Sequence, residues 1–180
     1  MDTYRILTPP EYIALVDAVP KSQHRILIQT MMFTGMRYRE LLSLSRNIKW
    51  FDAKNNAISI PAQHTKTNIA RTIHLTPGYS KVLAQYLREF KTLEFPSRAA
   101  MNHNLRRWWK GTGTDIPAPA PKTFRKTWES WLLFTGYDYL KVCASQGHSP
   151  QIAYNHYANI EARLKSEAEK VKELTAGWGT

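Results

Sequence analysis

Cysteine is nearly absent from this chain: Cys143 stands alone among 180 residues. A single thiol excludes an internal disulfide and any zinc site built from several cysteines. It sits in the apolar run YLKVCASQG, where a buried packing role is expected and a nucleophilic one is not. Long hydrophobic runs are missing too. No window approaches the roughly 20 apolar residues of a membrane-spanning helix. The opening MDTYRILTPPEY has no apolar core of signal-peptide length. An intracellular, soluble protein with no membrane partner is therefore expected. Asp, Glu and His do not cluster at spacings that suit a metal, which argues against a metal-dependent nuclease. No internal repeat and no aromatic RNA-binding motif is found. Acidic residues are scarce, with 14 Asp and Glu against 25 Lys and Arg, a net charge of +11. Such an excess describes partners more than fold. Nucleic acid is the commonest polyanion that would match it.

What is present suits one compact domain over residues 1–180, since hydrophobic residues make up 43% of the chain. Thr8-Pro9-Pro10-Glu11 reads as a capped helix start, with the helix running to Pro20. Residues 24–33 are nearly all apolar and predict a buried helix. Thr34-Gly35 breaks it, and residues 36–44 restart as another, with Leu41, Leu42 and Leu44 inward. From Ile48 the period changes. IKWF, AISIPA and ARTIHL are short β-like runs that predict a small antiparallel meander. Helices follow over 78–90, 101–109, 122–134, 138–146, 150–157 and 158–174, with a Gly/Pro-rich loop, GTGTDIPAPAPK, in between. The fold class is thus mainly α with a small antiparallel sheet. The last helix is charge-rich: either it is solvated or its Ile160, Leu164, Ala168 and Val171 stripe docks on a partner.

Several cations stand in informative local settings. Arg37 opens a helix just after a Thr-Gly break, where a guanidinium and helix N–H groups can face one anion. Glu40 lies three residues on and can orient it. Lys66 falls in the turn between two strands, at a hairpin tip able to reach a groove or to give up a proton when desolvated. Arg71, on the next strand, is assigned at most a contact with a nucleic-acid backbone. Lys122 and Arg125, three apart on a helix, share a face and can clamp one phosphate. Trp128 and Trp131 continue that helix into the core. Gly147 reads as a left-handed helix cap. His148 follows it, and Tyr157 lies nine positions beyond His148, with Tyr154 as a competing hydroxyl.

These segments together resemble the catalytic domain of the tyrosine recombinases, the phage, plasmid and archaeal integrase superfamily. TGMRYRELLSL is similar to the first arginine box, HTKTNIARTIHL to the lysine hairpin, KTFRK to the second arginine box and GHSPQIAYNHY to the Gly-His-Ser box that precedes the nucleophile. Each box is loose; four in order over nearly the whole chain are specific. The resemblance implies a catalytic set of Arg37, Lys66, Lys122, Arg125, His148 and Tyr157. It also implies double-stranded DNA as partner, other protomers in a tetrameric synapse, and no cofactor or metal. In that scheme Tyr157 attacks a DNA phosphate to give a 3′-phosphotyrosyl link, Arg37 and Arg125 stabilise the charge, and Lys66 protonates the leaving oxygen.

Two departures stand out. The second arginine box usually reads His-x-x-Arg, and here the histidine is Lys122. A lysine donates to phosphate well but is a poor proton acceptor at neutral pH, so a general-base role at this position is not expected. Some integrases of archaeal elements share this lysine, which points to such an origin and to the cytoplasm of a prokaryotic host. The family also carries an N-terminal helical domain that closes a DNA clamp. This chain opens directly into the catalytic part, so a fragment is expected. A non-catalytic DNA-binding domain and a type IB topoisomerase-like enzyme remain as alternatives.

Overall fold

Thr8 opens the first helix, α1 (Pro9–Ala18). Its hydroxyl accepts from Glu11 N at 3.5 Å, while the Glu11 carboxylate accepts from Thr8 N at 2.7 Å. This is the capping box expected from Thr-x-x-Glu. The computed structural model describes residues 5–149 and 160–180. In it, the apolar run becomes α2 (Ser22–Thr34), with Ile28 and Met32 fully buried. It stops at Gly35, whose φ of +58° favours glycine. Helix α3 (Tyr38–Arg46) follows, with Leu41 and Leu44 inward and Leu42 only partly covered.

The meander forms, with one change. Strands β1 (Phe51–Asp52), β2 (Ala57–Ile60) and β3 (Arg71–His74) pair antiparallel in the order β1-β2-β3. Residues Ile48–Trp50, expected as strand, instead make a 3-10 turn that closes onto Asn47. Helix α4 (Pro77–Phe90) starts at its Thr76 cap, with Leu83 buried but Val82 exposed. Helix α5 (Arg98–Lys110) begins three residues earlier than its apolar pattern suggests, because Ser97 caps it through Ala100 N at 3.2 Å. Helices α6 (Pro121–Phe134) and α7 (Tyr139–Gln146) follow.

Helices α2 and α6 pack against each other, and α7 lies against both β3 and α6. Trp128 and Trp131 of α6 are completely buried. The N-terminal segment is tied to this helix. Leu7 N donates to Thr127 Oγ1 at 2.9 Å and Trp131 Nε1 donates to Leu7 O at 3.1 Å. Cys143 is 2% exposed. Burial, and then the nearby Glu129 and Asp138 carboxylates, push its thiol up, as suits a packing residue.

The C-terminal region forms two short helices, α8 (Glu161–Leu164) and α9 (Ala168–Thr175), joined by a 3-10 turn at Lys165–Glu167. The expected single helix over 158–174 is therefore interrupted among its described residues. Ile160, Leu164 and Val171 of the apolar stripe are buried in the chain's own core. Trp178 closes the region. Its ring is 1% exposed, its Nε1 donates to His74 O at 2.9 Å, and its backbone N donates to Tyr137 Oη at 3.1 Å. It therefore ties the chain end to β3 and to the turn before α7. Trp178→Ala should lower the unfolding free energy by about 3–5 kcal/mol, as expected for a fully buried tryptophan. Urea denaturation measures this, and a loss within about 0.5 kcal/mol would show that the site behaves as a surface position.

Candidate active site

The C-terminal end of α7 organises the site. A helix ends with carbonyls that lack intrahelical partners and carry the negative end of its dipole. Here three consecutive carbonyls each meet a different arginine. Arg71 Nε donates to Ser145 O at 3.0 Å, Arg125 Nη2 donates to Gln146 O, and Arg37 Nη2 donates to Gly147 O at 2.9 Å. The three arginines come from β3, α6 and the start of α3, so one helix end brings together three distant stretches of chain. Gly147 is needed at this point. Its φ is +69°, and a Cβ there would lie 2.9 Å from the Arg71 side chain.

Glu40 binds the cluster from below. It is 1% exposed. Arg71 donates to it through both terminal nitrogens, at 2.9 and 2.7 Å, in the two-pronged geometry that favours arginine over lysine. Arg37 adds Nη1 at 3.1 Å and its own backbone N at 2.8 Å. Burial pushes the Glu40 carboxyl up, but the hydrogen bonds and charge of Arg71 and Arg37 outweigh it and hold the group below the ordinary range. Arg125 is anchored on the other side, donating through Nη1 to Gly35 O at 2.8 Å. Burial, and then the charge of Arg37, pull its guanidinium down to about 10. It stays protonated at neutral pH. Two guanidiniums thus share the Glu40 carboxylate while a third, Arg125, is held on backbone carbonyls, leaving positive charge that an anion would offset.

That charge opens into a cavity of about 370 Å³, lined by Arg37, Arg39, Arg98, Lys122 and Arg125 among others and, among the described residues, by no carboxylate. Three of the expected site residues, Arg37, Lys122 and Arg125, therefore share one basic cavity. His148 lines a different one, of about 560 Å³, with Arg71, Gly147 and Thr67. The two meet at the Arg37–Gly147 hydrogen bond. His148 Nε2 lies 3.0 Å from Glu129 Oε1, and its Nδ1 lies 3.1 Å from Ser149 O. Lys66 is exposed on the β2–β3 connection and lines neither cavity. The tip that carries it is closed by Thr65, whose hydroxyl accepts from Ile69 N at 3.1 Å and donates to Ile69 O at 3.0 Å. Tyr154 and Tyr157, with the helix expected over 150–157, lie outside the described residues.

Four residues of the site escaped the sequence. Arg71 is not a surface contact: its side chain is 7% exposed and spent on Glu40 and Ser145. Strand alternation was the available signal, because Arg71 is two residues from the fully buried Ile73 and so shares its face. Arg39, Arg98 and Glu129 had no comparable local signal.

Residues 5–163 match the model of the phage integrase family. No curated protein sequence matches the chain. Among solved structures, XerA recombinase superimposes with a TM-score of 0.73 at 19% identity, covering 92% of this chain and 64% of that one. XerH recombinase, solved bound to a difH substrate in a post-cleavage complex, gives 0.68 at 20%, covering 91% and 52%. The Tn1549 transposon integrase, in complex with circular intermediate DNA, gives 0.69 at 16%, covering 93% and 67%. At these identities the likeness is one of fold. This chain spans about half to two thirds of the length of those proteins.

Proposed function

Because this chain belongs to the phage integrase family, we propose that it is the catalytic part of a site-specific DNA recombinase, cleaving and rejoining strands through a 3′-phosphotyrosyl intermediate. The observation that carries this reading is the basic cavity, where Arg37, Lys122 and Arg125 converge without a lining carboxylate among the described residues. A scissile phosphate seated there would receive hydrogen bonds from two guanidiniums already held by Glu40, Gly35 and the end of α7. Preorganised donors of this kind act most strongly on the charge that develops as phosphorus becomes five-coordinate.

In this scheme the Tyr157 oxygen bonds to phosphorus as its phenolic proton passes to solvent water, and the bond to the 5′-oxygen breaks. Lys66 gives that oxygen a proton, its exposed hairpin tip swinging toward the DNA. The phosphotyrosyl bond keeps the ester energy, so a 5′-hydroxyl from another strand can reverse the step. No step calls for a metal or nucleotide. Lys122 serves as a phosphate donor. Assembly of four protomers on two duplexes belongs to the same proposal. Docking of residues 158–174 on a neighbour would have to offset the burial that Ile160, Leu164 and Val171 have at home.

A nicked suicide substrate tests the reading, since the released end diffuses away and traps the adduct. The protein should yield a denaturation-resistant DNA adduct. Arg125→Ala should slow its formation by about a hundredfold to a thousandfold, measured in single turnover. DNA binding with no adduct would leave a non-catalytic binding domain. Relaxation of supercoiled plasmid regardless of site would favour a topoisomerase-like activity.

A further inference from the structure

Glu129 and His148 form a pair that no motif announces. Glu129 stands on α6 one turn after Arg125, between Trp128 and Trp131, whose rings are fully buried. It is itself 7% exposed. A buried carboxylate costs several kcal/mol unless a partner compensates it. Its Oε1 lies 3.0 Å from His148 Nε2, with both side chains 9% exposed. The contact is close but is not aligned as a hydrogen bond, so it is chiefly electrostatic. Nε2 is fully withdrawn from solvent, whereas the Nδ1 contact with Ser149 O lies on the open side. The ring thus has one anchored nitrogen and one presented nitrogen. A carboxylate behind an imidazole fixes both the ring orientation and the nitrogen that faces outward.

We infer that Glu129 is a positioning residue for His148, its carboxylate holding the Nε2–H of a ring that carries a proton on both nitrogens, so that Nδ1–H is the group that donates to the scissile phosphate. A phosphate oxygen then takes the place of the Ser149 carbonyl as acceptor. The inference rests on the reading that this chain cleaves DNA at the arginine cavity. Glu129 touches no reacting atom in it and acts through His148. Its charge also reaches Arg125, whose guanidinium it helps keep protonated, so the test must separate the two routes.

Single-turnover cleavage of the nicked substrate by the wild type, Glu129→Ala, Glu129→Gln, His148→Ala and the double variants makes that separation. Glu129→Ala should slow cleavage by about tenfold or more with DNA affinity unchanged, and the nearly isosteric Glu129→Gln should fall in between. In the His148→Ala background neither change should cost anything further. Additive losses would overturn the inference and point to Arg125. His148→Asn, whose amide nitrogen stands near the Nδ1 position, should retain more cleavage than His148→Gln; the reverse order would overturn the assignment of Nδ1. The nitrogen NMR signals of the His148 ring in DNA-free protein give a readout that does not depend on cleavage. The Nε2 signal should move on Glu129→Gln, and an unmoved signal would overturn the pairing. A wild type that forms no adduct would overturn the cleavage reading alone, and the Nε2 signal would still decide whether Glu129 holds the ring.

Discussion

Tyr157→Phe is expected to abolish the covalent protein–DNA adduct while leaving DNA binding intact. Phenylalanine keeps the ring and loses only the oxygen that would bond to phosphorus, so the chemical step loses its nucleophile. In the proposed function binding would rest on separate groups, the cations of the basic cavity and the excess positive charge of the chain. Gel shift and adduct assay on the same substrate should therefore part company completely. Tyr154 is the rival hydroxyl, three residues earlier. An adduct that persists in Tyr157→Phe and disappears in Tyr154→Phe would move the assignment to Tyr154. Arg125→Ala differs in kind: it removes one of several donors and slows the same reaction, where Tyr157→Phe stops it.

Glu40→Ala should be the most destabilising single change at the site, by about 3–5 kcal/mol, because it removes one partner from a buried charge cluster. Arg71 would lose both of its carboxylate bonds while its side chain stays 7% exposed. Arg37 would lose the group that aims it. Urea denaturation at neutral pH measures the loss, and a change below about 1 kcal/mol would mean that water or a relaxed arginine replaces the carboxylate. Glu40→Gln keeps an acceptor and the side-chain shape, so its loss should be smaller. The same carboxylate makes a pH prediction. Its folded pKa lies below the ordinary value of 4.5, so its contribution is fully present above that value. It is lost as the pH falls through the lower folded pKa. Acid unfolding of the wild type should carry this component, and Glu40→Gln should lack it.

Much of this architecture is legible locally. The capping box at Thr8, the left-handed stops at Gly35 and Gly147, and the period change at Ile48 each depend on residues within one turn of each other. Arg37 after its Thr-Gly break and the Lys122/Arg125 pair on one helix face are local as well, and the structure gathers these three into one cavity. The 3-10 turn at Ile48–Trp50 departed from the strand expectation because a short apolar run fits either conformation. The C-terminal stripe was visible as a stripe, but nothing near it in sequence says what covers it.

The chain by itself determined the helices up to α7, the meander, the basic surplus and the order of these cations, because each follows from spacing and composition. Only the tertiary structure decided how those cations are held. Arg71 meets Glu40 across 31 positions, Arg37 meets Gly147 across 110, and Arg125 meets Gly35 across 90. No periodicity spans such intervals. The physical reason for the convergence is the end of α7, whose three open carbonyls need donors once the helix is packed against β3 and α6, and the three arginines brought there by the fold supply them.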